Sequence, residues 1–135
     1  MKIFITGGSG FVGKSIIPIL IENGYDIYAL ARSQKSKDIV KAIGAIPVMD
    51  DLTSLSVNTE QALKRCDYVL HSAAHMDLTY DKELFYNINV KATNDLLKKS
   101  KENGIKKFIY LSAAPVVPGS PIINLSEKEA GKKLP

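Results

Sequence analysis

The sequence predicts an α/β fold: a doubly wound parallel sheet of five strands in the order 3-2-1-4-5, with helices on both faces. Two observations lead to this fold class. Short runs rich in β-branched and aromatic residues alternate with longer runs whose apolar residues recur at helical spacing. The connections between them are short, and parallel strands joined in this way need right-handed crossovers. We therefore expect one domain over residues 1–135.

The pattern places five strands and four helices along the chain. The strands are expected at residues 2–6, 25–30, 45–49, 67–71 and 107–111. The first helix starts near Phe11 and stops at an Asn-Gly pair at residues 23–24. The later helices are expected at residues 36–43, 59–65 and 83–103, and a second Asn-Gly pair ends the last of them.

A glycine-rich turn joins the first strand to the first helix. Its glycines are spaced as Gly7, Gly10 and Gly13, with an additional Gly8. The first glycine permits a sharp turn, the second lets backbone N–H groups approach a pyrophosphate, and the third lets the helix lie close to the sheet. Because a helix N-terminus also carries partial positive charge, this turn is predicted to be a phosphate site.

The same residues fit a second pattern. Residues Gly8 to Ser15 match G-x-x-x-x-G-K-[ST], in which Lys14 and Ser15 would serve the phosphates and Mg²⁺ of a nucleoside triphosphate. A helix that begins near Phe11 leaves a loop too short for this role. A P-loop nucleotide binder is thus the remote alternative.

Composition limits the possible partners. The hydrophobic content is 45% and the net charge is +4, with lysines scattered over helix faces and no interleaved aromatic residues, so nucleic-acid binding is not expected. The sequence shows neither a long apolar run nor a leader pattern, so no membrane association is expected. The single cysteine, Cys66, allows no internal disulfide and is expected to be a small buried hydrophobe. A cytoplasmic location is the resulting prediction.

The end of the second strand indicates which dinucleotide is preferred. Enzymes that use NAD place an acid about 20 residues beyond the glycines, where it holds the ribose 2′-hydroxyl. Here Ala31 holds that place and Arg32 follows, with Ser33 and Lys35 nearby. A guanidinium without a competing carboxylate suits a 2′-phosphate, so NADP is favoured over NAD.

Other candidate residues follow later strands or stand out within a helix. Asp51 comes after the third strand, where it could accept a hydrogen bond from adenine or cap the next helix. Small residues after the fourth strand would let the backbone approach a cofactor, and the neighbouring His75 and Asp77 could face a substrate. Asn89 is an amide on an otherwise apolar helix face, so it must find partners.

Taken together, the motifs resemble one family. They are TGGSGFVG at residues 6–13, DDL at 50–52, HSAA at 71–74, NVKAT at 89–93 and FIYLSAAPVVPG at 108–119. This set resembles the extended short-chain dehydrogenase/reductases, which include the NAD-dependent epimerase/dehydratases and the 3β-hydroxysteroid dehydrogenase-like enzymes. The resemblance implies a Rossmann-type fold and a nicotinamide dinucleotide as partner.

The resemblance also implies roles for particular residues. The pyrophosphate loop would comprise Gly7, Gly10, Phe11, Val12 and Gly13. The same comparison puts Asp51 and Leu52 at the adenine, Ala73 and Ala74 beside the ribose and nicotinamide, and Asn89 in the active-site framework. It further implies hydride transfer between the nicotinamide and a carbinol or keto carbon of a small molecule whose identity the sequence does not indicate.

The chain departs from the family pattern in its catalytic residues. Family catalysis uses a Tyr-x-x-x-Lys pair, in which the lysine favours the phenolate, and none of the six tyrosines here has a lysine four residues later. Where relatives carry several serines after the fifth strand, this chain has Ser112, Ala113 and Ala114; Ser112 is the candidate catalytic serine, although Ala114 stands nearer the usual place. We therefore expect the cofactor-binding part of an enzyme.

Two further expectations remain open at this stage. A non-catalytic module that senses NADP(H) or binds a partner would also lack the Tyr-x-x-x-Lys pair. Relatives often dimerise through two long helices, so the helix at residues 83–103 is the candidate homodimer surface.

Overall fold

A computed structural model of the chain describes residues 1–76 and 81–112. Five parallel strands form one sheet in the order β3-β2-β1-β4-β5, as the alternating pattern predicts. The strands are β1 (Lys2–Thr6), β2 (Asp26–Ala31), β3 (Ile46–Met49), β4 (Tyr68–His71) and β5 (Lys107–Tyr110). Because β1 lies between β2 and β4, the winding of the sheet reverses direction at β1.

Helices connect the strands. They are α1 (Phe11–Glu22), α2 (Gln34–Ala42), a 3₁₀ turn (Leu52–Ser54), α3 (Val57–Leu63), α4 (Lys82–Phe85), a π-helix (Tyr86–Ala92) and α5 (Thr93–Glu102). The last three follow one another without a break and fill the helix expected at residues 83–103. The π-helical geometry was not predicted from the sequence, since the apolar period does not distinguish it from an α-helix.

Two helices begin two residues earlier than the apolar spacing suggested. The side chain of Ser33 accepts a hydrogen bond from the backbone N–H of Ser36, which starts α2 at Gln34. Likewise, Ser56 accepts from the backbone N–H of Asn58, which starts α3 at Val57. Serine caps therefore decided these boundaries, whereas the predicted starts depended on apolar residues alone.

The sheet separates two apolar layers. Ile3 and Ile5 of β1 point into the layer covered by α1 and α2, where Ile17 and Val40 are fully buried. Phe4, between them, points to the opposite layer and packs with Leu63 and Leu96. This alternation along a central strand buries both faces, as expected of a parallel sheet covered by helices.

The cysteine and the helices bear on two further expectations from the sequence. Cys66 is buried, and this burial raises the pKa of its thiol to about 12, so the thiol stays protonated at neutral pH. Within residues 1–76 and 81–112, no helix combines the length and apolarity needed to span a bilayer.

The end of the central sheet contains a buried histidine. His71, the last residue of β4, is 0% exposed, and burial lowers the pKa of its imidazole from 6.5 to about 4. Its ring lies against Phe108 and Tyr110 of β5, with centroid distances of 5.9 and 5.5 Å. Because the cation is disfavoured only in the folded state, this group makes stability depend on pH.

We expect the free energy of unfolding to fall by about 2 kcal/mol between pH 7 and pH 4.5 because of His71. Its unfolded form takes up a proton below pH 6.5, whereas its folded form resists protonation down to about pH 4. The stabilisation is thus complete above pH 6.5 and is lost as the pH falls. Urea unfolding at closely spaced pH values measures the slope. His71→Gln should lose it, and an unchanged slope in that variant would assign it to other groups.

Candidate functional site

A cleft of about 390 Å³ opens at the carboxyl ends of the strands. Gly7 follows β1, Arg32 follows β2, Asp51 comes shortly after β3, and Ser72 follows β4; all four residues line the cleft. The volume lies within the range of small-molecule sites. The position is the crevice where open α/β sheets bind ligands, because connections there diverge to opposite faces.

Sequence and structure can be compared residue by residue at this cleft. Seven predicted residues line it: Gly7, Gly10, Arg32, Asp51, Leu52, Ala73 and Ala74. Its remaining lining residues were not among those predicted as cofactor contacts: Ser9, Leu30, Ser36, Thr53, Ser72, His75 and Ile88. Ser9, Thr53, Ser72 and His75 directly neighbour a predicted cofactor contact, so the strand ends were the usable signal for them. Leu30, Ser36 and Ile88 have no such neighbour, and helical spacing does not show that Ile88 reaches the cleft.

Other predicted residues lie outside the cleft lining. Phe11, Val12 and Gly13 form the first turn of α1, and the Phe11 side chain is 87% exposed. Ser112 is exposed, and neither Ser112 nor Asn89 lines the cleft. Asp77 and Ala114 lie outside the described residues.

The glycine turn has little space for side chains. Gly7 has a φ of +73°, and a Cβ there would lie within 2.9 Å of Ser72 and the Ala73 nitrogen. A Cβ on Gly13 would lie 2.5 Å from Gly8 Cα and Gly8 O, and closer still to Gly7 O. Gly13 thus lets α1 pack against the turn that directly follows β1.

The N-terminus of α1 differs from the other helix starts that follow loops in the described chain. Gly10 caps it without a side chain, whereas Ser33, Ser56 and Asp81 each accept a backbone N–H at the starts of α2, α3 and α4. The first backbone N–H groups of α1 therefore have no side-chain acceptor. An anion beside Gly10 would satisfy them.

The Walker pattern is not realised as a P-loop. Helix α1 begins at Phe11, so Lys14 and Ser15 already belong to the helix. The Ser15 hydroxyl donates a hydrogen bond to the Phe11 carbonyl oxygen, 3.1 Å away. Only the short turn of residues 7–10 remains between strand and helix, and it cannot wrap a chain of phosphates.

Two adjacent carboxylates after β3 have different tasks. Asp50 Oδ2 accepts hydrogen bonds from the backbone and hydroxyl groups of Ser56 and Thr59 at 2.7–3.2 Å, which ties β3 to α3. Partial burial alone would raise the pKa of Asp50, but hydrogen bonds led by that from Thr59 lower it overall. The carboxylate of Asp50 therefore serves to hold the loop between β3 and α3 in place.

Asp51 caps a helix, one of the two roles that its sequence position leaves open, and it also lines the cleft. Its Oδ1 accepts from the backbone N–H and hydroxyl of Thr53, at 2.8 and 2.7 Å, and so caps the 3₁₀ turn. These bonds, with a smaller contribution from the charge of Arg32, lower the pKa of Asp51. Asp51 and Arg32 line the same cleft, so it contains charges of both signs.

Of the polar residues that follow Arg32, the structure brings Ser36 to the cleft instead of Ser33 and Lys35. The hydroxyls of Ser33 and Ser36 form a capping box at the start of α2. Ser36 lines the cleft beside Arg32, whereas Ser33 and Lys35 do not.

Asn89 finds its partners in the loop after β4. Its Oδ1 accepts from the backbone N–H of His75 at 2.7 Å, and its Nδ2 donates to the His75 carbonyl oxygen at 3.0 Å. The His75 ring meets Phe85 edge-on, with centroids 4.9 Å apart. One side chain of the π-helix thereby holds one residue of the cleft wall at both of its backbone polar groups.

The described residues contain no cluster of histidine, cysteine and carboxylate side chains that could hold a metal ion. Glycine turn, uncapped helix and strand-end loops instead define a Rossmann-type dinucleotide-binding module. The chain belongs to the NAD dependent epimerase/dehydratase family, whose model matches residues 3–134.

Individual relatives agree with this assignment. The chain is 37% identical over 127 residues to a sterol-4-alpha-carboxylate 3-dehydrogenase, decarboxylating, of Dictyostelium discoideum, covering 91% of this chain and 38% of that protein. It is 28% identical over 136 residues to a 4-hydroxy-2-methyl-3-oxo-4-farnesyl-3,4-dihydroquinoline-1-oxide ketoreductase of Stigmatella aurantiaca, covering 100% and 40%. The chain therefore spans about two fifths of the length of these relatives.

Solved structures show the same fold. A UDP-glucose 4-epimerase of Thermotoga maritima, determined with UDP-glucose, has a TM-score of 0.77 at 26% identity and is matched over 96% of this chain and 44% of its own. A UDP-glucose-4-epimerase of Stenotrophomonas maltophila, with bound NAD and formylated UDP-arabinopyranose, has a TM-score of 0.83 at 20% identity, covering 96% and 42%.

Gly13→Ala is expected to lower the free energy of unfolding by about 2–3 kcal/mol, because its methyl group would meet backbone atoms that cannot move aside. Gly10→Ala is the matched control: its Cβ would lie 3.2 Å from Gly7 O, and we expect a loss below about 1 kcal/mol. Urea unfolding measures both. Equal losses would contradict the close packing of α1 on the turn.

Asn89→Asp is expected to destabilise the fold by about 1–3 kcal/mol and to speed amide hydrogen exchange at His75. The substitution keeps the acceptor but places a carboxylate oxygen against the His75 carbonyl, where an N–H donor is needed. Asn94→Asp, an exposed change on α5, serves as the control. If both variants exchange alike at His75, the Asn89 side chain does not hold this loop.

Proposed function

We propose that this chain is the dinucleotide-binding part of an NADP-preferring oxidoreductase, epimerase or dehydratase. The observation that carries the proposal is the cleft at the point where the sheet reverses its winding, bounded by a glycine turn and an uncapped helix. Family membership supports it, and the relatives' names give the range of reactions considered.

The residues present fit a dinucleotide. The absence of a Cβ at Gly7 and the lack of a capping side chain at Gly10 leave backbone N–H groups and open space for a pyrophosphate. In this proposal the N-terminal turn of α1, from Phe11 through Val12 to Gly13, contributes its backbone rather than its side chains. This accounts for a pyrophosphate role even though these three residues do not line the cleft.

The two ends of the cleft suit the two halves of the cofactor. Asp51 and Leu52 would lie at the adenine, where the unused lone pairs of the carboxylate can accept from an amino group. Ala73 and Ala74 would lie beside the ribose and nicotinamide, because their small side chains let a ligand reach the backbone. The bound nicotinamide would supply hydride transfer to or from a carbinol or keto carbon of the substrate.

The chain's own residues would bind and orient the cofactor, and the proton chemistry would belong to other residues. We propose that a Tyr-x-x-x-Lys pair comes from sequence outside these 135 residues, which agrees with the share of each relative that the chain covers. Ser112, exposed just after β5, would then be a substrate-positioning candidate. Asn89 would act as a framework residue through its hold on His75.

A reading frame that continues through a Tyr-x-x-x-Lys pair would support this division of roles, and one that stops at Pro135 would favour a non-catalytic sensing module.

Binding is the direct test of the proposed cofactor. Titration of the chain with NADPH, NADH and Mg²⁺–ATP, followed by nicotinamide fluorescence or calorimetry, should show dinucleotide binding. Tight binding of Mg²⁺–ATP without dinucleotide binding would overturn the proposal in favour of the P-loop alternative.

The preference for NADP rests on Arg32. Ala31 supplies no carboxylate, Arg32 lines the cleft, and Ser36 lies beside it at the start of α2. A guanidinium there can form charge-assisted hydrogen bonds with a 2′-phosphate.

We expect Arg32→Asp to weaken NADPH binding by about tenfold or more and NADH binding much less, since only NADPH carries the 2′-phosphate. Lys35→Asp makes the same charge change on α2 without touching the cleft and should affect both cofactors little. Dissociation constants from fluorescence titration at fixed ionic strength provide the comparison. Equal losses for the two cofactors would show that Arg32 does not contact the 2′-phosphate.

A homodimer through the helix at residues 83–103 remains part of the proposal. Four apolar side chains on this helix are exposed, namely those of Leu84, Tyr86, Val90 and Leu97. Exposed apolar surface of this kind suits association with a second copy. The cytoplasmic location stays a prediction from cysteine content.

A further inference from the structure

Two buried side chains, Thr6 and His71, and the half-buried Thr93 form a line of hydrogen bonds. Thr6 Oγ1, at the end of β1, lies 2.6 Å from His71 Nδ1, at the end of β4. On the other side of the ring, His71 Nε2 lies 2.9 Å from Thr93 Oγ1, at the start of α5. The backbone N–H of Ala73 donates to Thr6 Oγ1 at 3.2 Å. We refer to these four groups as the Thr6–His71–Thr93 chain.

The hydrogen-bonding capacity of Thr6 determines the proton positions in this chain. Its hydroxyl has one proton, and it already accepts from Ala73. If His71 Nδ1 carried a proton, the Thr6 hydroxyl would accept twice and its own proton would have no acceptor among the described residues. With Nδ1 unprotonated, Thr6 donates to His71 and accepts from Ala73. His71 Nε2–H then donates to Thr93, so the polar groups of the fully buried Thr6 and His71 and the Ala73 N–H are all satisfied, and Thr93, which accepts, is only half-buried.

The surroundings favour this neutral form. Thr6 and His71 are both 0% exposed, and the imidazole ring is enclosed by Phe108 and Tyr110 of β5. Tyr110 is the titratable group among these neighbours, and none of the three hydrogen bonds in the chain involves a charged side chain. A protonated ring would donate from both nitrogens and would remove the acceptor that Thr6 needs.

The Thr6–His71–Thr93 chain joins two walls of the cleft, the glycine turn and the loop after β4. Ala73 lies so close to Gly7 that a Cβ on the glycine would be 2.8 Å from the Ala73 nitrogen, and both residues line the cleft. Thr6 directly precedes Gly7. A shift of the Thr6 hydroxyl would therefore move the Ala73 backbone relative to the glycine turn.

The same helical segment holds the loop after β4 at two points. Asn89 binds the backbone of His75, and Thr93, four residues later, binds His71. Residues 72–74 of the cleft wall lie between these two anchors. The Thr6–His71–Thr93 chain thus connects the end of β1, directly before the glycine turn, with the start of α5, directly after the π-helix.

We propose that His71 is a positioning residue of the dinucleotide cleft: in its Nε2–H form it orients the Thr6 hydroxyl, which sets the Ala73 backbone against Gly7, and it links this wall to the helix that carries Asn89. The effect on dinucleotide affinity rests on the proposed function. The tautomer and the state of the Ala73 amide do not.

Paired threonine variants test the proposal by affinity. Thr93→Val and Thr6→Val keep the side-chain shape and remove the hydroxyl, and each should weaken NADPH binding about five- to tenfold. Thr93→Ser and Thr6→Ser keep the hydroxyl and should bind within about twofold of the unaltered chain. Ser100→Ala removes another buried hydroxyl, which donates to Leu96 O away from the cleft, and should cost stability without changing affinity. Unchanged affinity in both valine variants would overturn the proposal.

Nitrogen-15 NMR distinguishes the proposed positioning role of His71 from a purely structural one. The chain has two histidines, so a His75→Asn sample assigns the His71 signals. We expect the Nε2–H tautomer at pH 7, and we expect the Ala73 amide resonance to shift in Thr93→Val although Thr93 does not touch Ala73. An Nδ1–H tautomer, or an Ala73 resonance that does not respond to Thr93→Val, would overturn the proposal.

These readouts separate the two proposals. If the unaltered chain binds neither NADPH nor NADH, the proposed function fails, and the tautomer and Ala73 measurements still decide whether His71 organises this wall. If the chain binds dinucleotide but the valine variants bind equally well, the proposed function stands and the role of His71 is refuted.

Discussion

The structure depends on the close approach of two backbone segments, the glycine turn after β1 and the loop after β4. Gly7 lies against Ser72 and Ala73 so tightly that any side chain at this position would collide with them. The two segments are further joined where Ser72 Oγ donates to the Thr6 carbonyl oxygen at 2.8 Å and Ala73 N–H donates to Thr6 Oγ1. Because β1 and β4 are adjacent parallel strands, these contacts follow from the register that pairs Thr6 with His71. A cleft forms beside them because the helix after β1 and the helix after β2 cover one face, whereas the helices after β3 and β4 cover the other.

The polar groups around the cleft divide into those that build it and those left for a ligand. Asp50 and Asn89 have their hydrogen-bonding groups engaged by the protein and hold loops in place. Asp51 uses one oxygen as a cap and also lines the cleft, as does Arg32. The uncapped start of α1 belongs to the second group. This division is the physical basis for the proposal that the glycine turn binds a ligand and that the π-helix supports the cleft wall.

Much of the fold and part of the candidate site could be predicted from sequence. All five strands lie within one residue of their expected bounds because β-branched runs ended by glycine and polar residues are strong local signals. Arg32 and Ala73 were found because residues that follow parallel strands share one edge of the sheet. The starts of α2 and α3 were misplaced because the serine caps at Ser33 and Ser56 were not weighed. Ile88 and the π-helix could not be predicted, since each depends on how a helix packs across the sheet.

The sequence by itself determined the α/β class, the strand order and the position of the glycine turn, because hydrophobic period, glycine spacing and short crossovers are local properties of the chain. Only the tertiary structure decided that Asn89 holds the backbone of His75, that Gly13 lets α1 lie against the glycine turn, and that Thr6, His71 and Thr93 form one line of hydrogen bonds. The partners in these contacts come from different elements, and Thr6 and His71 are 65 residues apart. Their meeting depends on strand register and helix packing, and neither property is encoded in a short stretch of sequence.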